Sequence, residues 1–148
     1  MKKYLFVFMA ALPFVASAQV DCVDAKDCYT RGVQSLFDKE KIDYQNECFT
    51  KAVKFDPNYA AAYHYRGGNY ARQEKYNEAI ADYTKFIDLA KKEEKPSKFV
   101  LAKVYFYRGE SYAKLGKKKQ ALADYKAASE TFPKEEKYLN AYNELNKK

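Results

Sequence analysis

The sequence predicts an all-α fold, a solenoid of about three helix-turn-helix repeats closed by a C-terminal capping helix. Three observations carry this. Helix breakers are rare, with 5 glycines and 4 prolines among 148 residues, and both must be used sparingly where helices dominate. An Arg-Gly step recurs at Arg31-Gly32, Arg66-Gly67 and Arg108-Gly109. Downstream of two of these steps the residues fall in register: Gly67 to Ala79 and Gly109 to Ala121 are twelve residues, Gly67 to Tyr83 and Gly109 to Tyr125 sixteen. Self-similarity of this kind marks stacked supersecondary units, each too small to bury its apolar face alone.

The elements follow in order. Residues 1–18, MKKYLFVFMAALPFVASA, have a basic start at Lys2 and Lys3 and a 12-residue apolar run from Tyr4 to Val15. A small-x-small site follows at Ala16-Ser17-Ala18. This is the pattern of a signal peptide; the run is short of the roughly 20 apolar residues that span a bilayer. Cleavage after Ala18 would leave a flexible start over 19–24, lower the formal charge from +7 to +5 by loss of the two lysines, and send the protein to a periplasm or outside the cell. The first repeat, 25–58, is expected as helices over about 24–37 and 42–55, closed by Asp56-Pro57-Asn58. The second, 59–95, has helices over about 59–73 and 76–92. The third, 96–133, starts near Pro96-Ser97, where proline suits the first turn. It stops at Gly116 and returns over 118–131. Residues 134–148 place Tyr138, Leu139, Tyr142 and Leu145 on one helical face, an amphipathic cap of the kind a solenoid end requires. Gly67 to Gly109 is 42 residues, eight more than the 34-residue helix-turn-helix repeat that the chain resembles. The excess is assigned to the charged stretch 91–98, as a lengthened second helix or a projecting loop.

Tyr63, Gly67, Tyr70, Ala79 and Tyr83 in the second copy, and Tyr105, Gly109, Tyr112, Ala121, Tyr125, Ala128 and Pro133 in the third, resemble the tetratricopeptide repeat. The first copy, with Gly32, Phe49, Ala52 and Pro57, is a degenerate version. The resemblance covers roughly residues 25–133 and implies a right-handed superhelix with a concave face lined by the first helix of each pair.

Glycine in a helix interior costs about 1 kcal/mol relative to alanine, so Gly32, Gly67 and Gly109 need an offset. Close approach of the paired helix supplies one, with Ala79 and Ala121 as the expected facing residues and the flanking tyrosines as core. Each arginine has an acid sixteen residues on: Arg31 and Glu47, Arg66 and Asp82, Arg108 and Asp124. In an antiparallel pair this spacing brings the side chains together, and we expect partly buried ion pairs.

On the concave side the pattern places Tyr29, Val33 and Phe37, then His64 and Arg72 beside Gly68, then Lys103, Phe106, Glu110 and Lys114. An aromatic, partly basic groove suits a protein or peptide partner. Some tetratricopeptide proteins hold a C-terminal carboxylate with Lys, Asn and Arg; here the matching positions carry Tyr29, Val33, Tyr65, Lys103 and Tyr107, of which only Lys103 fits. Binding of an EEVD-type tail is therefore not implied. His64 reads as a tolerated polar residue or a groove contact responding to pH near neutrality. Cys28 and Cys48 could bridge the first hairpin, with Cys22 and Cys28 as the rival pairing.

Hydrophobic residues make up 47% and charged residues 32%, which excludes a disordered tail and a polytopic membrane protein. One histidine and three cysteines speak against an all-protein zinc site and most His-based catalysis. No phosphate loop, nucleophile elbow, HExxH or CxxCH occurs. The expectation is a non-catalytic exported adaptor with no cofactor and no nucleic-acid partner. Peripheral association with the envelope stays open. The alternatives are an envelope-assembly subunit docking through its convex face or capping helix, and a small envelope enzyme or ligand-binding protein.

Overall fold

A computed structural model describes residues 20–38 and 41–147; the expected leader at 1–18 lies outside the described residues. Among the described residues seven helices follow one another: α1 (Ala25–Gln34), α2 (Ile42–Phe55), α3 (Ala60–Arg72), α4 (Tyr76–Ala90), α5 (Lys98–Lys114), α6 (Lys118–Thr131) and α7 (Glu136–Lys147). Each packs on the next in sequence, and α3 also touches α5. This is the expected all-α solenoid, three hairpins and a seventh helix.

The ends of the helices follow local chemistry. Asp24 caps α1 by accepting from the Asp27 N–H at 2.8 Å, and Ser97 caps α5 by accepting from Val100 N–H at 3.4 Å, each satisfying an orphan donor of the first turn. Gly116 (φ +70°) ends α5 in the left-handed region; Glu74 (φ 59°) takes the corresponding place after α3, a conformation glycine adopts more readily. The eight-residue excess is neither of the expected alternatives alone. The first helix of the third hairpin is longer, with α5 at 17 residues against 13 for α3, and the extra N-terminal turn, 98–101, buries Leu101. The 91–97 link takes most of the rest.

The helical glycines are close-approach sites, but not against the alanines. A Cβ on Gly109 would stand 2.8 Å from Tyr125 Cδ1, one on Gly67 3.0 Å from Tyr83 Cδ1, and one on Gly32 2.5 Å from Phe49 Cε1. The aromatic one turn beyond each alanine fills the gap, while Ala79 and Ala121 are fully buried in the core beside it. The ring supplies more contact area than a methyl group, so it wins the space.

Two of the three expected ion pairs form, both bidentate. Arg66 Nε and Nη2 donate to Asp82 at 2.7 and 2.8 Å, and Arg108 Nε and Nη2 to Asp124 at 2.8 Å each. The remaining nitrogen reaches back to the preceding hairpin: Arg66 Nη1 to Thr50 Oγ1 at 3.0 Å, Arg108 Nη1 to Thr84 Oγ1 at 2.9 Å. Tyr63 and Tyr70 flank the Arg66 guanidinium at 5.6 and 5.9 Å, and Tyr105 and Tyr112 flank that of Arg108 at 5.7 and 5.9 Å. The third pair does not form. Arg31 bonds Asp27 on its own helix at 3.0 Å, and Glu47 pairs with Lys51 and faces the Val20 N–H at 3.5 Å.

That N-terminal strap also decides the cysteines. Val20 is 1% exposed, its carbonyl accepts from Lys51 Nζ, and Cys22 is disulfide-bonded to Cys28 with 5.1 Å between Cα atoms. The Cys28–Cys48 bridge is therefore not made. Cys48 is a buried free thiol, pushed up in pKa by burial.

Three substitutions test these contacts. Gly109→Ala lowers the melting temperature, with overpacking against Tyr125 costing about 1–3 kcal/mol; Gly68→Ala, where a Cβ meets only Tyr83 Oη at 3.8 Å, raises it, by up to about 1 kcal/mol. Arg108→Ala strands the buried Asp124, 7% exposed, and lowers stability by about 3–5 kcal/mol in urea melts. An unchanged midpoint would remove the arginine from the account.

Candidate functional site: the concavity between the first helices

The α3–α5 contact opens a concavity of about 500 Å³. Its floor and walls are Tyr65, Gly68 and Ala71 of α3, Tyr83 of α4, and Tyr107 and Ser111 of α5; Leu36 and Tyr76 close its sides. Tyr83 and Tyr107 stack at 6.4 Å. Burial, reinforced by Tyr107 and Glu110, pushes the Tyr83 hydroxyl well above the usual phenol range, so it stays protonated and free to donate.

Of the nine residues placed on the groove by sequence, His64, Arg72, Glu110 and Lys114 line this concavity. Tyr29 and Val33 pack into the first-hairpin core instead. The Tyr29 ring lies 5.2 Å from Tyr59 and 5.8 Å from Tyr65, and its hydroxyl is pushed up to about 12 by burial and by Tyr65. Phe37 falls beyond α1, which ends three residues earlier than expected, and is 98% exposed. Lys103 lies outside the lining, its Nζ 5.7 Å from the Tyr107 ring centre. Phe106 is roofed by α7, with Tyr138 5.2 Å away and Lys137 Nζ 4.8 Å from its ring centre, so it does not face the opening. On α7 itself Tyr138 alone is buried, while Leu139 is 51% exposed.

Sequence reasoning missed Asn69. It is 2% exposed, its Oδ1 accepts from Arg72 Nη1 at 3.4 Å, and its Nδ2 has no acceptor. The signal was a polar residue two positions after Gly67, on a turn otherwise built from glycine and aromatic residues. The rim carries Arg72, Glu110 and Lys114, all exposed. The protein around the Glu110 carboxyl raises its pKa by desolvation, against the pull of Lys137 and Lys114. Among the described residues no three His, Cys, Asp or Glu side chains are grouped to hold a metal ion, and no helix is long and apolar enough to cross a membrane.

His64 packs 5.1 Å from Tyr65 and 5.5 Å from Phe86. Burial, with the nearby Lys103 charge, lowers its pKa to about 4, so the imidazole is neutral at pH 7 and the expected response near neutrality moves into acid. Between the unfolded value near 6.5 and about 4, the unfolded chain binds the extra proton. Stability from this residue is complete above pH 6.5 and is lost as pH falls, at up to about 1.4 kcal/mol per unit. His64→Phe removes that slope; urea melts from pH 7 to 4 whose difference between the two proteins is flat would contradict it.

The tetratricopeptide repeat sequence profile matches residues 58–134. The solved structures similar to this chain include the first such domain of Spaghetti (RPAP3) bound to the HSP90 peptide SRMEEVD, at 24% identity and TM-score 0.71, covering 83% of this chain and 90% of that one. The N-terminal domain of stress-induced protein-1 from C. elegans aligns at 16% identity and TM-score 0.73, over 82% and 94%. The second domain of human RPAP3, in complex with the HSP70 peptide SGPTIEEVD, aligns at 25% identity and TM-score 0.70, over 84% and 96%. No curated protein sequence matches the chain significantly. With the profile spanning more than half of its residues and the fold matching over 82–84% of them, the chain belongs to the tetratricopeptide repeat family.

Proposed function

We propose that this protein is an exported, non-catalytic adaptor that binds a protein or peptide partner in its concave face. The observation that carries the reading is the concavity of about 500 Å³ between α3 and α5, walled by aromatic side chains with cations on its rim. Aromatic and Arg side chains are the groups that most often anchor interfaces. Similar folds in RPAP3 hold HSP90 and HSP70 peptides, which supports a peptide as the class of guest. Those peptides end in EEVD, and here the carboxylate-holding positions carry Tyr29, Val33, Tyr65 and Tyr107, with Lys103 alone. The guest of this chain is of another kind. Export is supported by the leader pattern of residues 1–18 and by the Cys22–Cys28 disulfide, since such bonds persist in oxidising compartments.

The test is crosslinking capture from an envelope extract. The expected result is one stoichiometric protein partner, reduced at least tenfold by Arg72→Glu/Lys114→Glu and unchanged by Lys119→Glu on α6. Equal recovery with the rim variant, or retention of a small molecule and no protein, would overturn the reading.

A further inference from the structure

Short links make neighbouring helices antiparallel, and each helix packs on the next, so the inner turns of the three hairpins share one edge of the stack. Gln73 of the second turn donates to Asp43 Oδ1 at the start of α2 at 2.9 Å. Leu36, Arg72 with Tyr76, and Lys114 bring all three turns to the same concavity. Charge along this edge is lopsided. Residues 111–123 hold four lysines and no acid. Lys114 belongs to the groove rim; Lys117, Lys118 and Lys119 follow it and are all exposed. The other second helices carry an acid in their first turn, Asp43 in α2 and Glu78 in α4, whereas α6 has none and no side-chain cap. Cations at a helix start oppose its dipole, and three in a row repel one another, so they weaken the fold. Among the described residues no carboxylate lies within 4.0 Å of any of the three. On the first turn of the same edge Phe37 is 98% exposed, a large apolar ring left in water with nothing in the fold to offset it.

We propose that this edge docks on an anionic phospholipid bilayer. Lys117, Lys118 and Lys119 lie among the headgroup phosphates, and the Phe37 ring enters the boundary of the acyl chains. A bilayer is favoured over a soluble polyanion because it answers both features at once: an acidic polymer pairs the lysines and leaves the ring wet. Each lysine near such a surface contributes about fivefold in affinity, so three with one aromatic ring give a reversible, salt-sensitive attachment. No described helix is long and apolar enough to cross a membrane, which agrees with a protein that lies on the surface. The inference goes beyond the groove reading and uses none of its residues; it adds the surface on which the adaptor stands.

Vesicle flotation with the chain as purified from exporting cells tests it. Every variant shares the same N-terminus, so residues before the described ones contribute equally. The vesicles are pure phosphatidylcholine, or two parts phosphatidylcholine to one part phosphatidylglycerol. The chain binds the anionic vesicles at least tenfold more tightly, and added salt weakens that binding. Lys117→Gln/Lys118→Gln/Lys119→Gln reduces it at least tenfold with helicity unchanged by circular dichroism. The same charge change on the opposite edge, Lys92→Gln/Lys95→Gln/Lys98→Gln, reduces it far less. The chain has no tryptophan, so Phe37→Trp places a single indole at the contact, and its emission shifts to the blue on anionic vesicles. Equal binding to neutral vesicles, or equal loss in the two triple variants, overturns the proposal. Binding to soluble polyphosphate as tight as to the vesicles, with the indole emission unmoved, assigns the lysines to an anionic polymer and overturns it too. Capture of a protein partner tests the groove separately.

Discussion

Arg66 and Arg108 each exchange water for three oxygen partners and two aromatic faces. The two fork nitrogens take an aspartate of the paired helix, the third takes a threonine of the hairpin before, and tyrosines three residues before and four after lie against the guanidinium. A buried ion pair adds little net stability over a well-packed apolar substitute, but removing one partner is costly. Its value here is geometric. One planar group fixes the angle within a hairpin and the step to its predecessor, and repetition turns that step into curvature.

The first hairpin lies outside this scheme and is held by other means. Among the described residues no helix precedes it to offer a threonine, its Arg31 turns to Asp27, and Glu47 is taken by Lys51 and the Val20 segment. The Cys22–Cys28 bond and the buried Val20 side chain do for this end what Tyr138 of α7 does for the other. α7 covers Phe106, and the first-hairpin core absorbs Tyr29 and Val33, so both ends of the concave face are filled. The middle stays open, where α3 meets α5 across Gly68.

The repeat was legible because its constraints are local in sequence: a glycine that tolerates a ring, and an acid sixteen residues after an arginine. The threonine partners were hidden. Thr50 lies sixteen residues before Arg66 while Thr84 lies twenty-four before Arg108, and the difference of eight is the excess length of the α4–α5 link and of the first turn of α5, so no fixed spacing revealed them. The facing residue was misread because a small alanine looks complementary to glycine, whereas the ring four positions on reaches over it. Phe106 and Phe37 failed as groove residues for tertiary reasons: α7 folds back over one, and α1 ends before the other. Cys28 was right as a disulfide partner and Cys48 wrong, since the strap that carries Cys22 has no periodic signature. Asn69 carries its meaning only through burial, which a single sequence does not display.

The most direct measurement is a double-mutant cycle across the hairpin boundary, Arg108→Met with Thr84→Val, read by urea unfolding. If the guanidinium sets the step between hairpins, the two changes couple by about 0.5–3 kcal/mol, and Thr84→Val has little effect once Arg108 is gone. Additivity to within about 0.5 kcal/mol would mean that the arginine serves its own hairpin only, and that the curvature, with the open pocket it creates, has another cause.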